Sequence, residues 1–116
     1  MEDAYSYLFN RDQKIRKDIR ANERIKYNNH FKVIGINNKN CNYQVFGVDI
    51  SVSGMGFLTE VQLEKGDLLE IVFRYKNVDI PAVLKIVHVN LCDKGFFVGA
   101  RFIVLKDTYK KILKQR

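Results

Sequence analysis

From Leu69 to Tyr75 the apolar residues Leu69, Ile71, Phe73 and Tyr75 alternate with Glu70, Val72 and Arg74. A period of two sends successive side chains to opposite faces, so the stretch predicts a strand with one buried face. The same alternation returns along the chain. Phe31 to Ile36 is a short strand candidate, and Tyr43, Val45 and Gly47 alternate with Gln44, Phe46 and Val48. Gly54-Met55-Gly56 reads as a break, after which Phe57 to Thr59 resumes. Ile80, Ala82, Leu84 and Ile86 mark one face of a long strand, and Phe96, Val98, Ala100 and Phe102 mark a last one. Turn residues separate them: Asn37-Asn38-Lys39-Asn40, Glu64-Lys65-Gly66-Asp67, Lys76-Asn77 and Asp93-Lys94-Gly95. Six strands joined by short turns predict a small antiparallel barrel or sandwich. Pro81 predicts an edge or a bulge in the long strand, because it has no N–H for a ladder.

The two ends differ from this body. Tyr5, Leu8, Phe9, Asp12, Ile15 and Ile19 fall near one face at helical spacing, which predicts a short amphipathic helix within residues 1 to 26. At the other end Asp107 is placed to cap a final helix with Tyr109, Ile112 and Leu113 on its apolar side. The 116 residues suffice for one domain. The expected division is an N-terminal helical or flexible arm over 1–19 and a β-barrel domain over 20–116.

Composition narrows the function. A formal charge of +7 favours anionic partners such as phosphates, nucleic acid or an acidic membrane surface. Cys41 and Cys92 are far apart and outside any CxxC pair, which reads as a reduced, cytoplasmic protein. Met1-Glu2-Asp3 is followed by no apolar run of signal-peptide or membrane-span length. His30 and His88 share no ligand spacing with the cysteines, so no metal site is expected, and each His reads as a strand or loop residue near the surface. A glycine-rich phosphate loop, a nucleophile elbow and an HExxH motif are all missing, which argues against an enzyme.

Two short patterns carry chemistry. Arg20-Ala21-Asn22-Glu23-Arg24 is an RxxxR, and Asp49-Ile50-Ser51-Val52-Ser53-Gly54 is a DxSxxG. Alone, the first reads as a solvated basic face. The second alone reads as short polar side chains capping a turn at Gly54. In sequence, an RxxxR leading into a strand, a turn and a second strand that ends in DxSxxG resembles the PilZ domain family. Val48 to Phe57 is similar to that family's second motif with its apolar flanks. Gly99-Ala100-Arg101-Phe102 resembles its late Gly-x-x-Phe strand. The resemblance covers roughly residues 16 to 112.

It implies a six-stranded antiparallel barrel of PilZ type, mainly β, that binds the bacterial second messenger cyclic di-GMP. The implied ligand residues are Arg20, Arg24, Asp49, Ser51 and Gly54. Auxiliary contacts are expected from Arg16, Ile19, Ser53, Gly99 and Arg101. Arg16 and Arg20 form an overlapping RxxxR, but Arg24 runs directly into the first strand, which favours the Arg20–Arg24 pair. In the family an arginine just before the motif accompanies binding of a stacked ligand pair. Ile19 stands there, which favours a single ligand molecule.

The residue types suit such a ligand. A guanidinium holds a phosphate or the O6/N7 edge of guanine as a planar fork. A carboxylate accepts from guanine N1–H and N2–H and so discriminates against adenine. The expected function is a cyclic di-GMP receptor that relays the signal to an unidentified downstream protein by ordering its N-terminal arm. No cofactor, DNA, RNA or membrane span is expected. Two alternatives stay open: a nucleotide-independent PilZ-like adaptor, and a small barrel that binds single-stranded nucleic acid.

Overall fold

The computed structural model describes residues 23–114. The expected N-terminal helix, and with it Arg16, Ile19 and Arg20, lies outside the described residues. Six strands follow in chain order: β1 (Ile25–Ile36), β2 (Lys39–Ile50), β3 (Gly54–Thr59), β4 (Leu68–Tyr75), β5 (Val78–Cys92) and β6 (Gly95–Val104). A terminal helix, α1 (Asp107–Lys114), completes the order. The strands close into a barrel in the order β1-β2-β3-β6-β5-β4, every pair antiparallel, with β4 returning to β1. Between the barrel and the sandwich left open by periodicity, the structure is the barrel.

Hydrophobic alternation builds it. Phe31, Val33, Val45, Phe57, Ile71, Phe73, Leu84 and Val98 are among the side chains buried inside, with Phe57 at 0% exposure. Aromatic rings interlock there: Phe31 meets Phe57 edge-on at 5.5 Å, and Phe73 stacks on Phe102 at 5.8 Å. Leu105 and Leu113, on either side of the start of α1, are buried in the same cluster.

The turns follow residue chemistry. Asn37 and Asn38 take φ of 51° and 70°, and Lys76 and Asn77 take 50° and 65°. Positive φ at both central residues matches the right-handed twist of a tight hairpin, and Asn tolerates it better than most residues. Asn37 also ties β1 to β4, because its Oδ1 accepts from Leu68 N–H at 2.9 Å.

Three expectations need correction. Gly54-Met55-Gly56 is not a break; these residues already form β3, paired with β6 from Gly54–Arg101 onward. β1 begins at Ile25, six residues before the Phe31 expected, and its polar first half hides the alternation. Asp107 is the first residue of α1 rather than its cap, and the turn opens on the carbonyl of Lys106, which accepts from Lys110 N–H at 3.0 Å. Pro81 behaves as expected of an edge: Val78–Ala82 pairs with β4, while pairing with β6 starts at Val83.

Candidate functional site

Arg24, the second arginine of the first motif, meets the second motif where β1 begins and β2 ends. Antiparallel register sets Ile25 opposite Ile50 and Lys26 opposite Asp49. Arg24, just before β1, donates from Nη1 to Asp49 Oδ1 at 2.7 Å. The arginine side chain keeps 43% of its exposure and the aspartate 17%, so the pair sits at the protein surface with its carboxylate half sheltered.

The lead-in to β1 is held from behind. Tyr27 O–H donates to the Arg74 carbonyl at 2.6 Å, and its ring meets Phe31 and Phe73 edge-on. Burial pushes the phenol above its ordinary range, against the opposing effect of that hydrogen bond. Tyr27 therefore stays a neutral donor, clamping the start of β1 to the end of the neighbouring β4.

Asp49 reaches the outside through a β-bulge. Along β2, Val45 and Gly47 are buried, so strict alternation would send Asp49 inward. The register shifts between Gly47 and Asp49, and the extra residue turns the carboxylate outward. The chain then turns sharply. Ser51 N–H donates to the Gly54 carbonyl at 2.9 Å, and Ser51 Oγ accepts from Ser53 N–H at 3.1 Å. The two serine hydroxyls are 2.8 Å apart. Ser51 is buried at 4% exposure and Ser53 is exposed, so Ser51 organises the turn from within while Ser53 sits at its surface. Phe102 N–H donates to the Ser53 carbonyl at 2.8 Å, tying the turn to β6. Gly54 serves by close approach: a Cβ there would overlap the carbonyl oxygen of Ala100.

From this corner a row of paired residues crosses the outside of the barrel: Lys26 with Asp49, Asp49 with Gly56, Gly56 with Gly99, and Gly99 with His88. Gly56 and Gly99 leave bare backbone in the middle of the row. Asp49 Oδ1 and the Phe97 ring lean over Gly56, and the His88 ring covers Gly99. Arg101, two residues beyond Gly99 and paired with Gly54 and Lys85, is exposed on the same side.

Arg24, Asp49, Ser51, Ser53, Gly54, Gly99 and Arg101 thus gather on one patch. Sequence reasoning missed His88. The residues Ile80, Ala82, Leu84 and Ile86 point inward, and parity would place His88 with them. A second register shift, between Ile86 and His88, turns it outward. Partial burial, and secondarily the charge of Arg24, hold its imidazole below the ordinary histidine range.

An open groove of about 420 Å³ lies elsewhere, on the outside of β2 and β3, lined by Tyr43, Phe46, Leu58 and Lys94 among others and by none of the motif residues. Among the described residues no cluster of His, Cys, Asp and Glu is arranged to hold a metal ion. No helix among them is long and apolar enough to cross a membrane.

Solved structures of similar fold include the Bacillus subtilis inhibitor of motility MotI/DgrA, with a TM-score of 0.65 and 11% identity over 80% of this chain and 47% of that one. MrkH of K. pneumonia in its apo state gives 0.63 at 18% identity, covering 79% and 46%. PlzA of Borreliella burgdorferi, solved in complex with c-di-GMP, gives 0.50 at 15% identity, covering 84% and 35%. The chain thus spans less than half the length of these structures, and at such identities the likeness is one of fold. Comparison with curated proteins returned no match. The PilZ domain family model matches residues 18–116, nearly the whole chain. With its closed six-stranded barrel and Arg24 of the RxxxR set against Asp49 of the DxSxxG, the chain belongs to the PilZ domain family.

Proposed function

We propose that this protein is a receptor for cyclic di-GMP, bound at the corner where β1 begins and β2 ends. The observation that carries the reading is the 2.7 Å contact between Arg24 and Asp49, which joins the first motif to the second. In the free protein the two groups satisfy each other. A guanine and a phosphate can take both: the carboxylate accepts from guanine N1–H and N2–H, and the guanidinium turns to phosphate or to the O6/N7 edge.

Magnitudes favour the exchange. An exposed ion pair contributes about 0.2–1 kcal/mol. A charge-assisted hydrogen bond to ligand contributes about 1.5–3 kcal/mol. Opening the pair is therefore a small cost against the hydrogen bonds that the ligand supplies. Arg20, four residues ahead of Arg24, supplies a second guanidinium in this reading. Ser51 and Gly54 act chiefly by shaping the turn that presents Asp49, with Ser53, Gly99 and Arg101 around it. The surface made jointly by bound nucleotide, residues 16–27 and the barrel is what a downstream protein partner recognises.

Thermal unfolding tests the reading. Cyclic di-GMP at about a hundredfold its Kd should raise Tm by roughly 10 °C. Cyclic di-AMP at the same concentration should leave it unchanged. An equal shift from both nucleotides would remove the guanine-recognition role of Asp49, and no shift from either would overturn the receptor reading.

A further inference from the structure

We propose that His88 is a further ligand-contacting residue of this site, and that its imidazole takes up a proton when the nucleotide binds. The inference rests on the receptor reading above and adds to it a residue from β5, outside both motifs.

Three observations place His88 there. It closes the row that starts at Lys26 and Asp49 and runs through Gly56 and Gly99. A β-bulge turns it outward, as another turns Asp49 outward, so two separate irregularities aim these side chains at one surface. The missing side chain of Gly99 admits the ring. Nε2, Cε1 and Cδ2 would all fall within 2.7 Å of a methyl group there. Nε2 comes nearest, with its two ring neighbours next, so the Nε2 edge of the ring lies over the bare backbone of Gly99.

The ring is also prepared electronically. Asn90 Nδ2 lies 3.3 Å from His88 Nδ1. With the amide NH₂ as donor, Nδ1 accepts and the proton of the neutral ring sits on Nε2, the nitrogen above Gly99. The charged residues of the row and its flanks are Lys26 at the start of β1, Asp49 on β2, Arg101 on β6 and Lys85 on β5, with Glu23 and Arg24 preceding β1, and the charge of Arg24 reaches the ring. β3 brings only glycines to this row. Partial burial first, and the charge of Arg24 second, oppose an added positive charge on the free ring.

A ligand with two phosphodiester anions reverses that balance. The phosphodiesters stay ionised across the histidine range, so the proton comes from solvent and ends on His88. An amide flip of Asn90 then offers Oδ1 to the new Nδ1–H. The bound state holds more protons than the free state, so affinity rises as pH falls through the bound-state value. It levels off below the free-state value.

The test is calorimetric titration of cyclic di-GMP into the full chain between about pH 5.5 and pH 8, in buffers of different ionisation heat. NMR titration of the His88 imidazole with and without nucleotide accompanies it. The wild type should bind about tenfold more tightly at the acid end and take up a fraction of a proton per ligand. The imidazole should titrate at higher pH when ligand is present. His88→Gln should bind with little pH dependence. The NMR arm uses wild-type protein, so a folding defect in the variant leaves the question answerable. Wild-type binding that is independent of pH, with an unmoved imidazole, would overturn the role of His88 and leave the receptor reading intact. No binding at any pH would overturn that reading, and this inference with it.

Discussion

Gly54 shows how narrow the tolerance of the site is at the scale of one residue. Its Cα faces the carbonyl of Ala100, and the obstacle to a larger side chain is backbone, which cannot swing away. Gly54→Ala should therefore destabilise the barrel by about 1–3 kcal/mol through overpacking, read by urea denaturation. A variant as stable as the wild type would show that β3 and β6 are not so tightly apposed. Gly99 is different, because what a methyl would meet there is the side chain of His88 rather than backbone. Ser51 likewise has a structural duty: its hydroxyl accepts from Ser53 N–H inside the turn. In this motif the aspartate offers its charge outward, while the serine and the glycine hold the corner that presents it.

At the scale of the element, the lead-in to β1 decides where Arg24 stands. Its clamp is the hydrogen bond from Tyr27 to the Arg74 carbonyl, which links β1 to the end of β4. Tyr27→Phe keeps the ring contacts with Phe31 and Phe73 and removes that bond. It should lower stability by about 0.5–1.5 kcal/mol. It should also weaken nucleotide binding, because Arg24 is then less well positioned; unchanged affinity would separate the clamp from the site. Elements also show what the sequence could and could not reveal. Alternation located most of the strands, since a strand with one buried face advertises its period, whereas β3, buried at nearly every residue, was read only from Phe57 onward. Alternation failed at the irregular places. Asn28, at φ 45°, and the register shift between Lys26 and Asn29 broke the pattern, so the first half of β1 went unseen. The bulges at Asp49 and His88 reverse the parity that alternation assumes. Asp49 was found because a motif names it; His88 belongs to no motif, and its neighbours Gly99 and Asp49 come from distant parts of the chain.

The whole molecule brings those distant parts together by closing. In the order β1-β2-β3-β6-β5-β4, β3 and β6 lie side by side, so one surface row draws on β1, β2, β3, β6 and β5. A simple meander would have left β3 against β4 and kept His88 away from Asp49. The formal charge of +7 acts over the same surface, raising the encounter rate with anions without choosing among them. Choice must come from short-range contacts, and these depend less on salt than diffuse attraction does. The most direct measurement is calorimetric titration of cyclic di-GMP into the wild-type chain and into Arg24→Ala, each at low and at high salt. The account predicts wild-type binding that persists at high salt and falls by about 10–150-fold in the variant, the equivalent of one charge-assisted hydrogen bond. Equal affinity in the two proteins, or wild-type binding that vanishes at high salt, would contradict a nucleotide site built on the Arg24–Asp49 corner.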